Sequence, residues 1–476
     1  IYIAEILRTK FYIYFLALTV IFTLQQCRKN QHLTGSQYQI ETSSDTILFD
    51  TIFTTIGSTT KQFKCYNNYN GILTISSIHL EQETNSPFRI NVDGVSGVHF
   101  ENIELLPGDS AYIFVEVTID PNGQSLPLVV EDRILFNTNG NEYQVILNAW
   151  GQDAYFHVNE LVEGQWLNDK PHVIYGIAAV GYPNLDSGKT LVIQEGTQIH
   201  GHANAALLVY KSALEVNGTL NNPVLFQQDR MEDYLLYPAD SVSGQWRGIY
   251  FLQPLQSHIT HSEIKNAVIG IQVDTLNNNQ SVFLNKVKVN NSLYANILTQ
   301  CGNVNAVNCL FGNSNNYSAY VSIGGNVQFE HCTFANYWSG FRNTPSLVFK
   351  DYYKSTNDDI IFRPFSSAIF SNCVVDGNGS NEIICDTLDR IDTGMDPNFI
   401  FDFCSIKTED TLSNSPFFTN CFQNLNTYFV NPQEWNFELT DSSNLIDLGN
   451  LNSTVTEDIL ERSRNIPNDL GCYEYY

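Results

Sequence analysis

The stretch Ala306-Val307-Asn308-Cys309-Leu310-Phe311-Gly312-Asn313 returns 23 residues later as Phe329-Glu330-His331-Cys332-Thr333-Phe334-Ala335-Asn336. Both share one pattern: an apolar residue, a thiol three positions on, another apolar residue after two, and a turn former after two more. The pattern extends outward. Upstream it reads Ile259, Ser262, Ile264, Asn266 and Leu284, Val287, Val289, Asn291; downstream it reads Phe370, Cys373, Val375, Gly377 and Phe401, Cys404, Ile406, Thr408. Successive final positions lie 25, 22, 23, 41 and 31 residues apart, a period that marks a stacked repeat array. Residues two apart on a strand face the same way, so the thiol and the following apolar residue share one interior. With strands stacked in register at about 4.8 Å, Asn266, Asn291, Asn313 and Asn336 are expected to form an amide ladder. Cys309, Cys332, Cys373 and Cys404 are expected as a column of buried, inert thiols and not a metal or redox centre.

Further turns of the array are visible at Leu191-Val192-Ile193, Glu195-Gly196-Thr197, Leu207-Leu208-Val209, Leu214-Glu215-Val216-Asn217-Gly218, Pro223-Val224-Leu225-Phe226 and Trp246-Arg247-Gly248-Ile249. Downstream stand Asn436-Phe437-Glu438-Leu439, Asn444-Leu445-Ile446-Asp447-Leu448-Gly449 and Asp469-Leu470-Gly471-Cys472-Tyr473-Glu474. Together these resemble right-handed parallel β-helix proteins of bacterial envelopes. The resemblance implies an all-β chain with a pectate-lyase-like solenoid over 190–445, a linker and N-terminal cap over 154–189 and a C-terminal cap over 446–476. Open ends of a strand-built rod template aggregation, hence the caps. That family mixes polysaccharide lyases, hydrolases, adhesins and lipoproteins, so the resemblance implies a fold and leaves the activity open.

Residues 39–153 carry a different punctuation. Short alternating apolar stretches are divided by Asn70-Gly71, Pro107-Gly108-Asp109, Asn122-Gly123 and Asn139-Gly140, the signature of a small antiparallel sandwich. Tyr66-Asn67-Asn68, Leu73-Thr74-Ile75, Leu106-Pro107-Gly108-Asp109-Ser110, Ile119-Asp120-Pro121 and Leu147-Asn148-Ala149-Trp150-Gly151 resemble Hydin-like immunoglobulin domains. In those relatives the module is an adaptor or spacer.

The first residues read as a targeting signal, with Arg8 and Lys10 before the apolar run Phe11 to Leu24. That run falls short of the roughly 20 residues that span a bilayer as a helix. Leu24-Gln25-Gln26-Cys27 resembles a lipoprotein signal box, which implies an export signal over 1–26, lipid on Cys27 and a tether over 27–38. A plain cleaved signal and an uncleaved anchor are the alternatives. The expected location is the outer membrane, reached through the lipid alone, facing the periplasm or the surface. Lys and Arg number 24 against 50 Asp and Glu, for a net charge of -26, which repels phosphate backbones and excludes nucleic acid as an expected partner.

Familiar enzyme signatures fail. Gly188-Lys189-Thr190 lacks the leading glycine of a phosphate loop, since Pro183 stands there, and Gly94-Val95-Ser96-Gly97 is one residue short of a nucleophile elbow. His200 and His202, like His258 and His261, sit in repeat strands and read as structural. No catalytic residue is assigned. The stretched repeat intervals require loops that bulge from the rod, where recognition concentrates. The first loop supplies Tyr337, Trp338, Arg342, Tyr352 and Tyr353 as candidate ligand-binding residues, because flat rings beside polar forks suit sugar stacking. Lys350, Lys354 and Arg363 near Asp358 and Asp359 form the one local set that resembles a lyase centre. The second loop supplies Asp386, Asp389 and Asp392 as weak Ca²⁺ candidates; otherwise no cofactor is expected. The expected partner is a polysaccharide or another envelope protein, with lyase or hydrolase activity and a purely structural role as alternatives.

Overall fold

The computed structural model describes residues 31–53, 57–58, 60–119, 128–231, 238–274, 280–387, 398–413 and 415–476. The export segment, Cys27, Asp389 and Asp392 therefore lie outside the described residues. The chain divides into two compact units, Ile1–Gln152 and Asp153–Tyr476.

In the first unit, alternating apolar residues build two sheets around one core. One sheet runs in the order His32–Leu33, Ile72–Leu80, Leu128–Thr138, Asn141–Gln152 and Thr46–Phe53, with His99–Leu105 also on Ile72–Leu80. The other orders Glu41–Thr42, Lys61–Tyr66, Ser110–Val117, Phe88–Val92 and Val95–Gly97. Phe49, Ile75, Phe88, Val115, Phe136 and Leu147 fill the space between them. Asn139 and Gly140 both take positive φ (49° and 81°), which matches the right-handed twist of the flanking strands and closes the Leu128–Thr138 and Asn141–Gln152 hairpin.

The second unit is a parallel solenoid with three strands per coil. Sheet I stacks ten strands from Gly164–Trp166 to Phe418–Thr419. Sheet II passes through Lys288–Ser292, Leu310–Ser314, Thr333–Asn336 and Val374–Gly377, and sheet III through Ile269–Asp274, Ala295–Gln300, Tyr317–Ser322, Leu347–Lys350 and Ile383–Asp386. The repeat positions become columns. Ile259, Leu284, Ala306, Phe329, Phe370 and Phe401 face one another in register up sheet I. Ile264, Val289, Phe311, Phe334, Val375 and Ile406 do so up sheet II. Like rings then lie on like rings, Phe370 on Phe401 at 4.3 Å and 9°.

The thiols stack as the repeat predicts. Sγ of Cys332 donates to Ala306 O of the preceding coil, Cys373 to Phe329 O and Cys404 to Phe370 O, at 3.3 to 3.4 Å. Cys421 continues the column onto Phe401 O at 3.3 Å, and the cysteines among the described residues are all free thiols. The amide ladder is only partly realised. Asn291 Nδ2 donates to Asn266 Oδ1 and Asn266 Nδ2 to Gln228 Oε1, both at 2.7 Å. Asn313 leaves the ladder and donates instead to Pro432 O at 2.6 Å, because the returning chain offers a carbonyl there.

The tail differs from the expected end cap. Leu310, Ala335 and Val374 on the outer side of sheet II are covered by Phe437, Leu445, Ile459, Leu470 and Cys472. Glu461 pairs with His261 at 3.0 Å, Arg464 donates to Asn308 Oδ1 at 2.8 Å, and Asn450 N donates to Asn372 Oδ1 at 2.8 Å. Residues 446–476 thus lie along the flank across several coils, since that flank presents apolar side chains that need cover.

Candidate functional site

Beside the Asn column, the returning chain stands off the solenoid and leaves a cleft of about 620 Å³. It is lined by Tyr337, Trp338, Ser339 and Gly340 from the loop, by Gln433, Glu434 and Trp435 from the returning chain, and by Asn291, Asn313, Asp240 and Ser241. Two of the lining segments carry local signatures. A Cβ on Gly340 would meet Trp338 Nε1 at 2.6 Å, so a larger residue there would displace that indole. Trp435 ends the short 3-10 turn Pro432–Glu434 with φ 62°, a left-handed conformation that a bulky side chain adopts only when its surroundings impose it. Asn313, which grips Pro432 O, fixes the strap from below.

Tyr337 is held rigid. Its hydroxyl donates to Asp376 Oδ2 at 2.5 Å, and Thr427 Oγ1 donates to the same oxygen at 2.6 Å. Burial, then the Asp376 charge, pushes the phenol well above its ordinary pKa. Its ring stands edge-on to Phe429 at 6.1 Å. Tyr337 also lines a second cleft of about 630 Å³ with Asp376, Lys407, Glu409, Asn424 and Tyr428, where Lys407 Nζ is 3.5 Å from Asp376 Oδ1.

The loop candidates separate into three places. Tyr337 and Trp338 share the first cleft. Arg342 does not reach it: its side chain is 5% exposed against a fully buried Glu382, which it grips through two nitrogens at 2.9 and 2.6 Å. It also donates to Asn336 O at 2.8 Å and to Thr344 O, so Arg342 is a buttress of the loop and not a ligand-binding residue. Tyr352 and Tyr353 lie in a separate hairpin, Tyr352–Lys354 with Ile360–Phe362, and line neither cleft. The Tyr352 hydroxyl donates to Asp386 at 2.9 Å, and Lys350 Nζ reaches the same carboxylate at 2.8 Å. Asp386 is thereby neutralised by a cation, which removes it from the Ca²⁺ set. Among the described residues no three His, Cys, Asp or Glu are grouped to hold a metal. Lys350 pairs with Asp386, so of the local set that resembles a lyase centre this cation is engaged outside Asp358 and Asp359. Asp240, Glu434 and Trp435 went unread in the sequence; the rarity of Trp was the one signal that pointed to Trp435.

No protein-family model matches the chain, and no curated protein matches it. Among solved structures, a family 123 glycoside hydrolase from Clostridium perfringens aligns at 8% identity and TM-score 0.18, over 24% of this chain and 25% of that one. The CupB6 tip adhesin from Pseudomonas aeruginosa aligns at 12% identity and TM-score 0.19, over 25% of this chain and 42% of that one. The catalytic unit of a GH87 α-1,3-glucanase from Streptomyces thermodiastaticus aligns at 9% identity and TM-score 0.15, over 69% of this chain and 90% of that one. This chain thus spans a quarter of the length of that family 123 hydrolase. Overlaps this shallow carry no argument about chemistry.

Proposed function

We propose that the chain is an exported envelope protein, held by lipid on Cys27, that displays a carbohydrate-binding cleft on a right-handed parallel β-helix, with the N-terminal unit serving as an immunoglobulin-like spacer. One observation carries the binding role. Trp338 and Trp435 both line the 620 Å³ cleft, together with Asn291, Asn313, Asp240 and Glu434. Two indoles offer stacking faces for sugar rings, and amides and carboxylates offer hydrogen bonds to hydroxyls. The order of basic residues, apolar run and Cys27 supports export and lipid attachment.

A glycan-array screen followed by titration of each hit tests the reading. Trp435→Ala and Trp338→Ala each weaken binding by about tenfold, with unfolding midpoints held near that of the parent. A parent protein that binds no glycan, or Trp variants that bind as well as it does, rejects the cleft.

A second reading is favoured by the neighbouring cleft, where Asp376, Lys407 and Glu409 converge. There the chain is a polysaccharide lyase or hydrolase with Lys407 and Asp376 exchanging protons with substrate. It requires new chain ends when hits are incubated with protein, and their loss in Lys407→Ala.

A further inference from the structure

A second aromatic surface lies on sheet III, built from residues that take no part in either cleft. Tyr294 and Tyr317 belong to successive coils, and their rings meet edge-on at 5.6 Å. Tyr320 joins both, 5.1 Å from Tyr317 and 6.5 Å from Tyr294. Next to them Lys350 Nζ lies 4.1 Å over the ring of Tyr352 and 2.8 Å from Asp386. Tyr294 is 38% exposed, and Tyr317 and Tyr320 are half-buried.

Two features separate this face from one made to be covered by protein. The outer face of sheet II, which the tail covers, presents the aliphatic Leu310, Ala335 and Val374; this one sets phenols among Leu298, Val348 and Ile384. Tyr337 and Tyr352 spend their hydroxyls on Asp376 and Asp386, whereas the Tyr294, Tyr317 and Tyr320 hydroxyls have no hydrogen-bond partner among the described residues. Half-buried rings whose hydroxyls are not engaged by the protein are stiff platforms with polar edges. The Lys350 charge beside these rings is already matched by Asp386, so that cation is not spare for a uronate or sulfate. A net charge of -26 repels polyanions further.

We propose that Tyr294, Tyr317 and Tyr320, edged by Lys350, Tyr352 and Asp386, form a second carbohydrate platform that takes a neutral polysaccharide chain. The inference stands on observations independent of the Trp338 and Trp435 cleft. With both sites on one rigid unit, a polymer long enough to reach them binds more tightly than either site alone permits.

The test is co-sedimentation of the full chain with insoluble β-1,4-glucan, β-1,3-glucan, chitin and α-mannan, and affinity electrophoresis in polygalacturonate. Parent protein is compared with Tyr317→Ala/Tyr320→Ala, with Trp435→Ala and with the triple variant. The double Tyr variant is expected to lose roughly tenfold in apparent affinity for a neutral polymer, and the triple variant to lose more than either. Tyr317→Phe/Tyr320→Phe keeps the rings and controls for folding; it is expected to fall between parent and the Ala pair. A double Ala variant that binds like the parent, or stronger retention by polygalacturonate than by any neutral polymer, overturns the platform. A parent-like Trp435→Ala overturns the cleft alone. Retention of the parent by no polymer overturns both.

Discussion

Arg342 was legible in the sequence as a cation among aromatic residues and illegible as a buttress. What separates the two is Glu382, forty positions on, which meets it across the loop base with its side chain fully buried. Removing one partner of such a pair strands the other charge in a dry site, so Arg342→Ala is expected to cost about 3 to 5 kcal/mol in chemical unfolding. Glycan affinity, measured where the variant is still folded, should change little. The same difficulty hides the left-handed residues before each thiol position: His261, Lys286, Asn308, His331, Asn372, Phe403 and Asn420, with φ between 42° and 57°. Asn marks such a bend by its chemistry, but His, Lys and Phe do not, and the bend there is imposed by the coil.

At the scale of elements, period and register were readable because like residues recur at fixed offsets and parallel stacking turns each offset into a column. Side-chain pairing along a column was not, since a polar group takes the best partner available in space. Asn266 and Asn313 occupy equivalent repeat positions, yet Asn266 bonds to its neighbours in the ladder and Asn313 holds the strap that carries Trp435. Their alanine variants should therefore part company. Asn266→Ala removes the two buried ladder bonds, to Gln228 Oε1 and from Asn291 Nδ2, and is expected to cost about 2 kcal/mol in urea unfolding. Asn313→Ala frees the strap, and is expected to weaken glycan binding several-fold in titration with a smaller loss of stability. Equal effects on both quantities from the two variants would remove the distinction.

For the solenoid unit as a whole, buried histidines are expected to shape the response to acid. Burial, and next to it the charge of His157, holds His172 down at about 4. Burial also lowers His157, His200, His261 and His331, the last with help from Arg464. A histidine held neutral in the fold takes up its proton more readily when unfolded. Its stabilisation is therefore present above the unfolded value near 6.5 and is lost as pH falls from there towards 4. His172 alone accounts for about 2 kcal/mol of that loss after allowance for its partial exposure. Melting midpoints are expected to drop steeply between pH 6.5 and 4, and less steeply in His172→Gln; parallel profiles would show that other groups govern the acid limb.

The amino-acid sequence by itself determined that the chain is all-β and that its larger part is a stacked parallel array with aromatic and thiol columns. Those properties follow from local alternation and from a repeat that brings identical residues into contact. The tertiary structure alone decided that the tail lies along the flank, that Trp435 and Trp338 line one cleft, and that Lys350 and Arg342 meet carboxylates instead of a ligand. Each of these joins residues far apart in the chain, and such meetings depend on which surfaces need cover and which charges need a partner, information that no periodicity carries.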